Sequence, residues 1–537
     1  MQFSVAEVHE AIAAANPDKE CLVVGDRRFT WAEITDRTRR LANVLIGHGL
    51  GCHTERQFLA GHESGQDHLA IYLHNGNEYL EAMLGAFKAR VAPFNVNYRY
   101  VAEELLYLLT DSQASAVVVH SQFAPTLAQI RSQLPNLRVI LQVPDESGNP
   151  LLDGAQWYDE AIAAASADKP AVQWNPDDLY MLYTGGTTGM PKGVLWRNGD
   201  ANIECFGGSR ADNLADLVSE ASGGLLALLA PPFMHGAGHW MSFRTWNSGG
   251  TVFVQSVPDR LDPVDVWQLI ERERLNFLLI VGDAFGRPLF DELERSTYDL
   301  SCLTVLLSGG APLSAKLKDD FLRLLPTLMI VDGLGSSEAG GQLSHVSAGG
   351  GATTGTFPMT PGNHVLSAEL DRELQPGTDE LGWLAKSGIL ALGYLGDEIK
   401  TAKTYPTVRG TRYAIPGDRA KLLADGSIEL HGRDSVTINS GGEKIFAEEV
   451  EAAIKAHHSV YDCVVAGRPS QRWGNEVVAI VRLRDGYDID QLSLLAEAER
   501  HIARFKLPKA FVFVPEIVRS PAGKADYRWA RQQAAQG

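Results

Sequence analysis

The segment YTGGTTGMPKGV, Tyr183 to Val194, concentrates four glycines, three threonines and one lysine in twelve residues. Glycine at that density opposes a helix or a central strand, so the window reads as a loop whose backbone can approach a ligand closely. Its free N–H groups, the hydroxyls of Thr184, Thr187 and Thr188 and the ammonium of Lys192 are donors that suit phosphate oxygens. The G-K-[ST] ending of the common phosphate loop is missing, because Met190 and Pro191 separate Gly189 from Lys192. An ordinary surface loop shares this composition, so the rest of the chain has to decide. A second constellation, HGAGH, offers His235 and His239. A metal site is disfavoured there, since the glutamate of H-E-x-x-H is missing and the intervening glycines oppose the helix that would align the two rings.

These groups need elements to hold them. DLYMLY before the loop reads as a short buried strand, and a more polar segment follows it. The apolar runs SAVVVH, LLALLAPP, NFLLIVG and LTVLLSGG alternate with helix-period segments such as PVDVWQLIERERL. That alternation predicts a parallel α/β sheet with crossover helices, and ligands in such sheets sit beyond the carboxyl ends of the strands. From about residue 355 to 430 the pieces shorten, as in LLADGSIELHGR, a hairpin turning at Asp425-Gly426. Beyond a boundary near Gly432 to Val436 comes a small α+β unit with the helix AEEVEAAIKAHH and the strands DCVVAG and EVVAIVRL.

A chain of 537 residues exceeds what one core supports, so more than one domain is expected. The net charge of −18 excludes a general nucleic-acid binder and demands a local basic pocket for any anionic substrate. Five scattered cysteines (Cys21, Cys52, Cys205, Cys302, Cys463) form no C-x-x-C pair and suggest neither a disulfide framework nor a zinc site. A reducing cytoplasm fits best. No secretory pattern opens the chain and no apolar run is long enough for a transmembrane segment, which leaves peripheral membrane contact open.

Seven motifs, YTGGTTGMPKGV, APPFMHGAG, LLSGGAPL, GLGSSEAG, YAIPGDRA, GRDSVTINSGGEKIFAEEVE and RSPAGKADY, occur in the order and rough spacing of the adenylate-forming superfamily. Within it the chain resembles acyl-CoA synthetases over nearly its whole length, since LYLHNGNEYLEAMLGAFKARVAPFNVNYRY also resembles that family's N-terminal region. The finer resemblance is to the actinobacterial group that activates fatty acids and steroid side-chain carboxylates of the cholestenoate type. GLGCHTERQFLAGHESGQDHLA is similar to that group's enlarged N-terminal loop.

The resemblance implies a large N-terminal domain of stacked α/β sheets plus a β-rich subdomain over residues 1–432, a hinge at 433–436 and a small mobile C-terminal α+β domain over 437–537. It implies ATP, Mg²⁺ and coenzyme A as cofactors and a hydrophobic carboxylic acid as substrate, a steroid side-chain carboxylate ahead of a medium- or long-chain fatty acid, with a homodimer left open. Gly185, Gly186, Gly189 and the three threonines with Lys192 would clamp the β- and γ-phosphates. Glu338 and Thr184 would hold Mg²⁺, Ser337 would stand at the phosphate-contacting hydroxyl position, and Gly335 beside it would belong to the cofactor site. Gly309, Gly310 and Ala311 would form the adenine wall, Asp418 and Arg433 would bind the ribose, and Lys524 would enter beside the α-phosphate. Gly441, Gly442, Glu443 and Lys444 would line a pantetheine channel after domain rotation about Asp434 or Ser435. Leu334 departs from the pattern, since the family usually has an aromatic residue that packs on adenine there. His235 would stand at the mouth of the acyl pocket, and no aspartate of the amino-acid-activating kind accompanies it, so an uncharged apolar acid is favoured. Phe, Met and Trp in APPFMHGAGHWMSF suit a bulky acid, and equally suit an ordinary core. A ligase that loads an acid onto a carrier protein and a non-catalytic nucleotide-binding relative are the competing classes. Retention of Lys192, Glu338, Asp418 and Lys524 together counts against the second.

Overall fold

The computed structural model describes residues 2–184, 190–221, 224–440, 443–470, 473–488, 490–521 and 523–536. The main sheet has eight strands in the order Gly340–Ser347, Met329–Ser336, Val305–Gly309, Phe277–Ile280, Leu226–Leu229, Thr251–Val254, Glu20–Val24 and Arg27–Thr30. All neighbours pair in parallel except the two edges, where Arg27–Thr30 and Gly340–Ser347 turn back antiparallel. The predicted strands LLALLAPP, NFLLIVG and LTVLLSGG lie side by side here. Because they run the same way, the loops after Leu229, Ile280, Gly309 and Ser336 emerge on one edge.

A second, all-parallel sheet contains Ala92–Asn95, His68–Tyr72, Ala116–His120, Val139–Val143 and Gln156–Trp157. Helix Asn77–Lys88 belongs to the core between the layers, and all twelve of its residues are buried. Its charges survive burial by pairing: Glu81 meets Arg37 at 2.7 Å and the Tyr158 hydroxyl at 2.8 Å, and Lys88 meets Glu10 at 2.6 Å. Unpaired, each would carry the several kcal/mol cost of a desolvated ion.

The strand Leu179–Thr184 forms as expected, but the more polar segment predicted after the loop is a second buried strand, Lys192–Arg197. The two pair antiparallel from Leu179↔Arg197 to Thr184↔Lys192, and Gly393–Tyr394 adds a third strand. Val194, Leu195 and Trp196 are buried, so neighbouring layers override the local polarity. Residues 185–189, which carry most of the predicted phosphate loop, fall outside the described residues, as do Gly441 and Gly442.

Residues 356–433 supply the predicted short strands as a five-stranded antiparallel sheet. Asp418–Leu422 and Ile428–Arg433 form the expected hairpin, with Gly426 at φ 84° in its turn. The last hundred residues build a separate sheet from Ile438–Ser440, Glu443–Ile445, Val460–Ser470, Gly474–Leu483 and Ala510–Phe513. Helices Ala447–Lys455, Gln491–Glu499 and Tyr527–Gln536 cover it, and its cores, around Val450, Cys463 and Val477 and around Val464, Ile480 and Ala530, are its own. Among the described residues no helix is long and apolar enough to cross a membrane.

Candidate active site

The strand ends of the main sheet, Thr184, Met190 and Pro191 of the Leu179–Arg197 hairpin and the C-terminal unit line one cavity of about 2290 Å³. Thr184, His235, Gly309, Gly310, Ala311, Gly335, Ser337, Glu338, Asp418, Arg433 and Lys524 all line it. Eleven residues read from motifs spread over 341 positions thus converge on one space.

Lys524 is the most telling of them. A Cβ placed on Gly310, whose φ is +88°, would lie 3.6 Å from the Lys524 Cε, so the lysine stem lies across the glycine turn. The preceding Gly523, at φ +69°, sits against Ala284, Phe285 and the Val281 carbonyl, which seats the C-terminal loop on the main sheet. Burial and then Arg433 lower the Lys524 pKa, while Glu338 and Asp418 oppose the shift. An ion pair between Lys455 and Asp283, 3.2 Å apart, fastens the same docked arrangement.

Glu338 accepts a hydrogen bond from the Tyr394 hydroxyl at 2.8 Å, and its own carbonyl accepts one from Tyr405 at 3.2 Å. The Ser337 carbonyl accepts from the indole of fully buried Trp196 at 2.8 Å. Lys386, buried, donates to the Ala339 and Gly341 carbonyls at 2.9 and 2.6 Å and ties the turn from below. Asp418 opens its strand directly opposite Arg433, with Nε 3.3 Å from Oδ1. Leu334 lines the cavity where the family places a ring, backed by the antiparallel sheet's core.

His235 and His239 separate in role. Helix Gly236–Asn247 starts right after His235, so the glycines of HGAGH do not prevent a helix as the sequence reading expected. Gly236 and Gly238 both fall in its first turn, and the Gly238 N–H donates to the His235 carbonyl at 3.0 Å. Gly238 is moreover required, since a Cβ would come within 2.7 Å of the Pro232 carbonyl. His239 Nδ1 lies 2.6 Å from the Phe233 carbonyl and Nε2 2.5 Å from the Tyr180 hydroxyl, which also accepts from Trp240 Nε1 at 2.8 Å. A carbonyl only accepts, so Nδ1 carries the proton and Nε2 accepts from Tyr180. Both nitrogens are committed, and the chain of bonds fixes the Trp240 indole in the cavity wall. His235 points a buried Nε2 that has no bonding partner among the described residues, and burial, with Lys524 adding to it, lowers its pKa to about 3. It is a neutral ring facing the cavity. The apolar segment itself divides: Phe233, Phe243 and Trp246 are core, whereas Met234, Trp240 and Met241 line the cavity.

Two predicted lysines stand elsewhere. Lys192, opposite Thr184 at the hairpin end, has its ammonium 3.8 Å from Asp111 and 3.7 Å from Asp397 and does not line the cavity. Lys444 is exposed on strand Glu443–Ile445, 3.9 Å from Asp434, and Asp434 itself faces the cavity.

Sequence reading missed the supports. Lys386 sits in GWLAKSG, where a lysine ending an apolar strand was the available signal. Tyr394, Tyr405 and Asn95, which bonds the Tyr183 and Met234 carbonyls at 2.9 and 2.7 Å, carried none. Glu448 was missed as well. Its carboxylate covers Gly432, which holds φ +95° and where a Cβ would meet Glu448 Oε2 at 1.9 Å. Burial first, then Glu451 and Asp418, raise the Glu448 pKa to about 7. The docked arrangement therefore holds this proton more tightly than a free carboxyl of about 4.3 would. Its contribution to docking is full below about pH 4.3 and is lost as pH rises through about 7. Docking should weaken between pH 5 and pH 8, read as rising protease sensitivity of the segment between Arg433 and Ile438, and Glu448→Gln should flatten that trend. An equally steep trend in the glutamine variant would assign it to another group.

Residues 9–379 match the family described as "AMP-binding enzyme", and residues 449–524 match "AMP-binding enzyme C-terminal domain". The chain belongs to this family of adenylate-forming enzymes, in its group of AMP-forming acid–thiol ligases. It is 53% identical, over 100% of its length and 99% of the other, to "Medium-chain acyl-CoA ligase Mig" of Mycobacterium avium. It is 39% identical, over 99% and 96%, to "Medium/long-chain-fatty-acid--CoA/3-oxocholest-4-en-26-oate--CoA ligase" of Mycobacterium marinum. Among solved structures it resembles the anthranilate CoA ligase AuaEII in complex with anthranoyl-AMP (TM-score 0.83, 21% identity, 100% and 98% covered). It also resembles ATP-bound MatB from Rhodopseudomonas palustris (TM-score 0.81, 23% identity, 99% of each chain).

Proposed function

We propose that the protein joins a hydrophobic carboxylic acid to coenzyme A at the expense of ATP, through an acyl-adenylate. The observation that carries this reading is the meeting of Lys524, from the C-terminal unit, with Glu338, Asp418 and Arg433 in one cavity. The acid's carboxylate attacks the α-phosphorus, the bond to pyrophosphate breaks, and a thiolate then attacks the acyl carbon and releases AMP. Lys524 offsets the negative charge that the first step gathers, and the Asp418–Arg433 pair presents a carboxylate to the ribose hydroxyls. Thr184 and the glycine-rich residues 185–189, with Lys192, bind the outer phosphates, and Gly309 to Ala311, Gly335 and Ser337 leave room for the base and phosphates. Glu338 and the Thr184 hydroxyl offer the hard oxygen donors that would hold Mg²⁺, which would neutralise phosphate charge. His235, neutral at pH 7, leaves the acid's carboxylate to Lys524.

Residues 1–432 act as the nucleotide- and acid-binding body, 433–436 as the hinge and 437–537 as the moving domain. Rotation withdraws Lys524 and brings Gly441, Gly442 and Lys444 to the thiol's path.

The acid is of medium to long chain. Met234, Trp240 and Met241 give it an apolar wall, and each methylene buried there contributes about 0.8 kcal/mol. A steroid side-chain carboxylate is the second reading, favoured by the size of the cavity and by the names of the 36–39% identical relatives. With ATP, Mg²⁺ and CoA, octanoate, palmitate and 3-oxo-cholestenoate should give thioester and AMP, with acetate far slower. Release of ADP would overturn the reaction type, and adenylate formation without thioester would point to a carrier-protein acceptor.

A further inference from the structure

Arg244 is a cation that the reaction outlined above leaves unused. It lies on helix Gly236–Asn247 and lines the cavity beside Met241 and Gly207. Its stem is seated on Gly207, whose φ is +61° and where a Cβ would come within 2.7 Å of the Arg244 Cγ. Arg90, Arg287 and Arg519 each face a carboxylate. Among the described residues no carboxylate or carbonyl oxygen bonds the Arg244 guanidinium. The side chain is exposed, so it stands where this arm of the cavity meets solvent.

The helix sets a length. From its first residue, next to His235, to Arg244 the backbone advances about 12 Å at 1.5 Å per residue. An extended alkyl chain gains about 1.3 Å per carbon from C–C bonds near 1.5 Å, so about ten carbons span the same reach. An acid whose carboxylate lies by Lys524 and His235 therefore brings its tenth carbon to the Arg244 guanidinium.

We infer that Arg244 selects acids bearing a second hydrogen-bond acceptor, a carboxylate above all, at the far end of a chain of about ten carbons. A terminal carboxylate at a solvent-facing mouth keeps part of its hydration while meeting the planar fork bidentately. Deeper in an apolar pocket the same group would lose more on desolvation than it gained.

This inference rests on the ligase reading, and the test separates the two. The specificity constants, kcat/KM, for decanedioate and decanoate are compared in the wild type, in Arg244→Met, which keeps the stem and removes the charge, and in Arg244→Lys. The decanedioate-to-decanoate ratio should fall at least about tenfold in the methionine variant and stay within about threefold in the lysine variant. Across diacids of eight to fourteen carbons, activity of the wild type should peak near ten, and the methionine variant should lose that peak. A ratio unchanged by Arg244→Met overturns the assignment. Calorimetric affinities of the two acids for the same proteins decide the Arg244 question independently. If neither acid yields thioester or AMP while the affinity ratio still depends on Arg244, the ligase reading fails and the inference stands.

Discussion

Lys524→Ala should slow acyl-adenylate formation by about 10²-fold or more, which corresponds to about 2.7 kcal/mol of transition-state stabilisation. The size follows from its position. The ammonium enters over Gly310 in an enclosed space shared with Glu338, Asp418 and Arg433, and burial has already lowered its pKa. ATP and the acid's carboxylate bring the negative charge that makes holding this cation worthwhile. No described group bonds its side chain, so alanine should cost the fold little. Thioester formation from supplied acyl-adenylate should stay within a few-fold of wild type if the proposed rotation carries Lys524 away. Equal loss in both half-reactions, with an unchanged thermal midpoint, would mean that one docked arrangement serves both steps and that no hinge at 433–436 is needed.

Glu338→Gln should lower pyrophosphate exchange by about 10²-fold and raise the Mg²⁺ concentration needed for half-maximal rate. The amide oxygen can still accept from Tyr394, so the turn keeps its shape while the charge disappears. Tyr394→Phe removes only one hydrogen bond to the same carboxylate and should cost about five- to tenfold, in line with about 1 kcal/mol for such a bond. Magnesium titrations of both variants separate the effects. A glutamine variant with wild-type Mg²⁺ dependence would move the metal away from Glu338.

The motif residues were legible because their chemistry is local. A glycine-rich turn, an acid after two serines, an aspartate after Pro-Gly and a lysine in PAGK each keep their spacing whatever surrounds them. The strands before them were legible too, since buried parallel strands read as continuous apolar runs. The supports were not. Tyr394 and Tyr405 reach Glu338 across 56 and 67 positions, and Lys455 reaches Asp283 across 172, so no window holds both partners. Helix Gly236–Asn247 misled because Gly238 answers to the Pro232 carbonyl, and Gly236 to Trp240 and Leu182, rather than to helix propensity.

By itself, then, the sequence determined the α/β class, the strands that carry the site and the residues proposed to face the nucleotide, since period, turn chemistry and motif spacing are properties of short segments. Only the tertiary structure decided which of those groups meet. It set Lys524 over Gly310 and left Lys192 between Asp111 and Asp397. It also brought Glu448 onto Gly432 and left Arg244 at the cavity mouth with no carboxylate partner among the described residues. Burial and through-space charge act between surfaces that become neighbours only when the layers close.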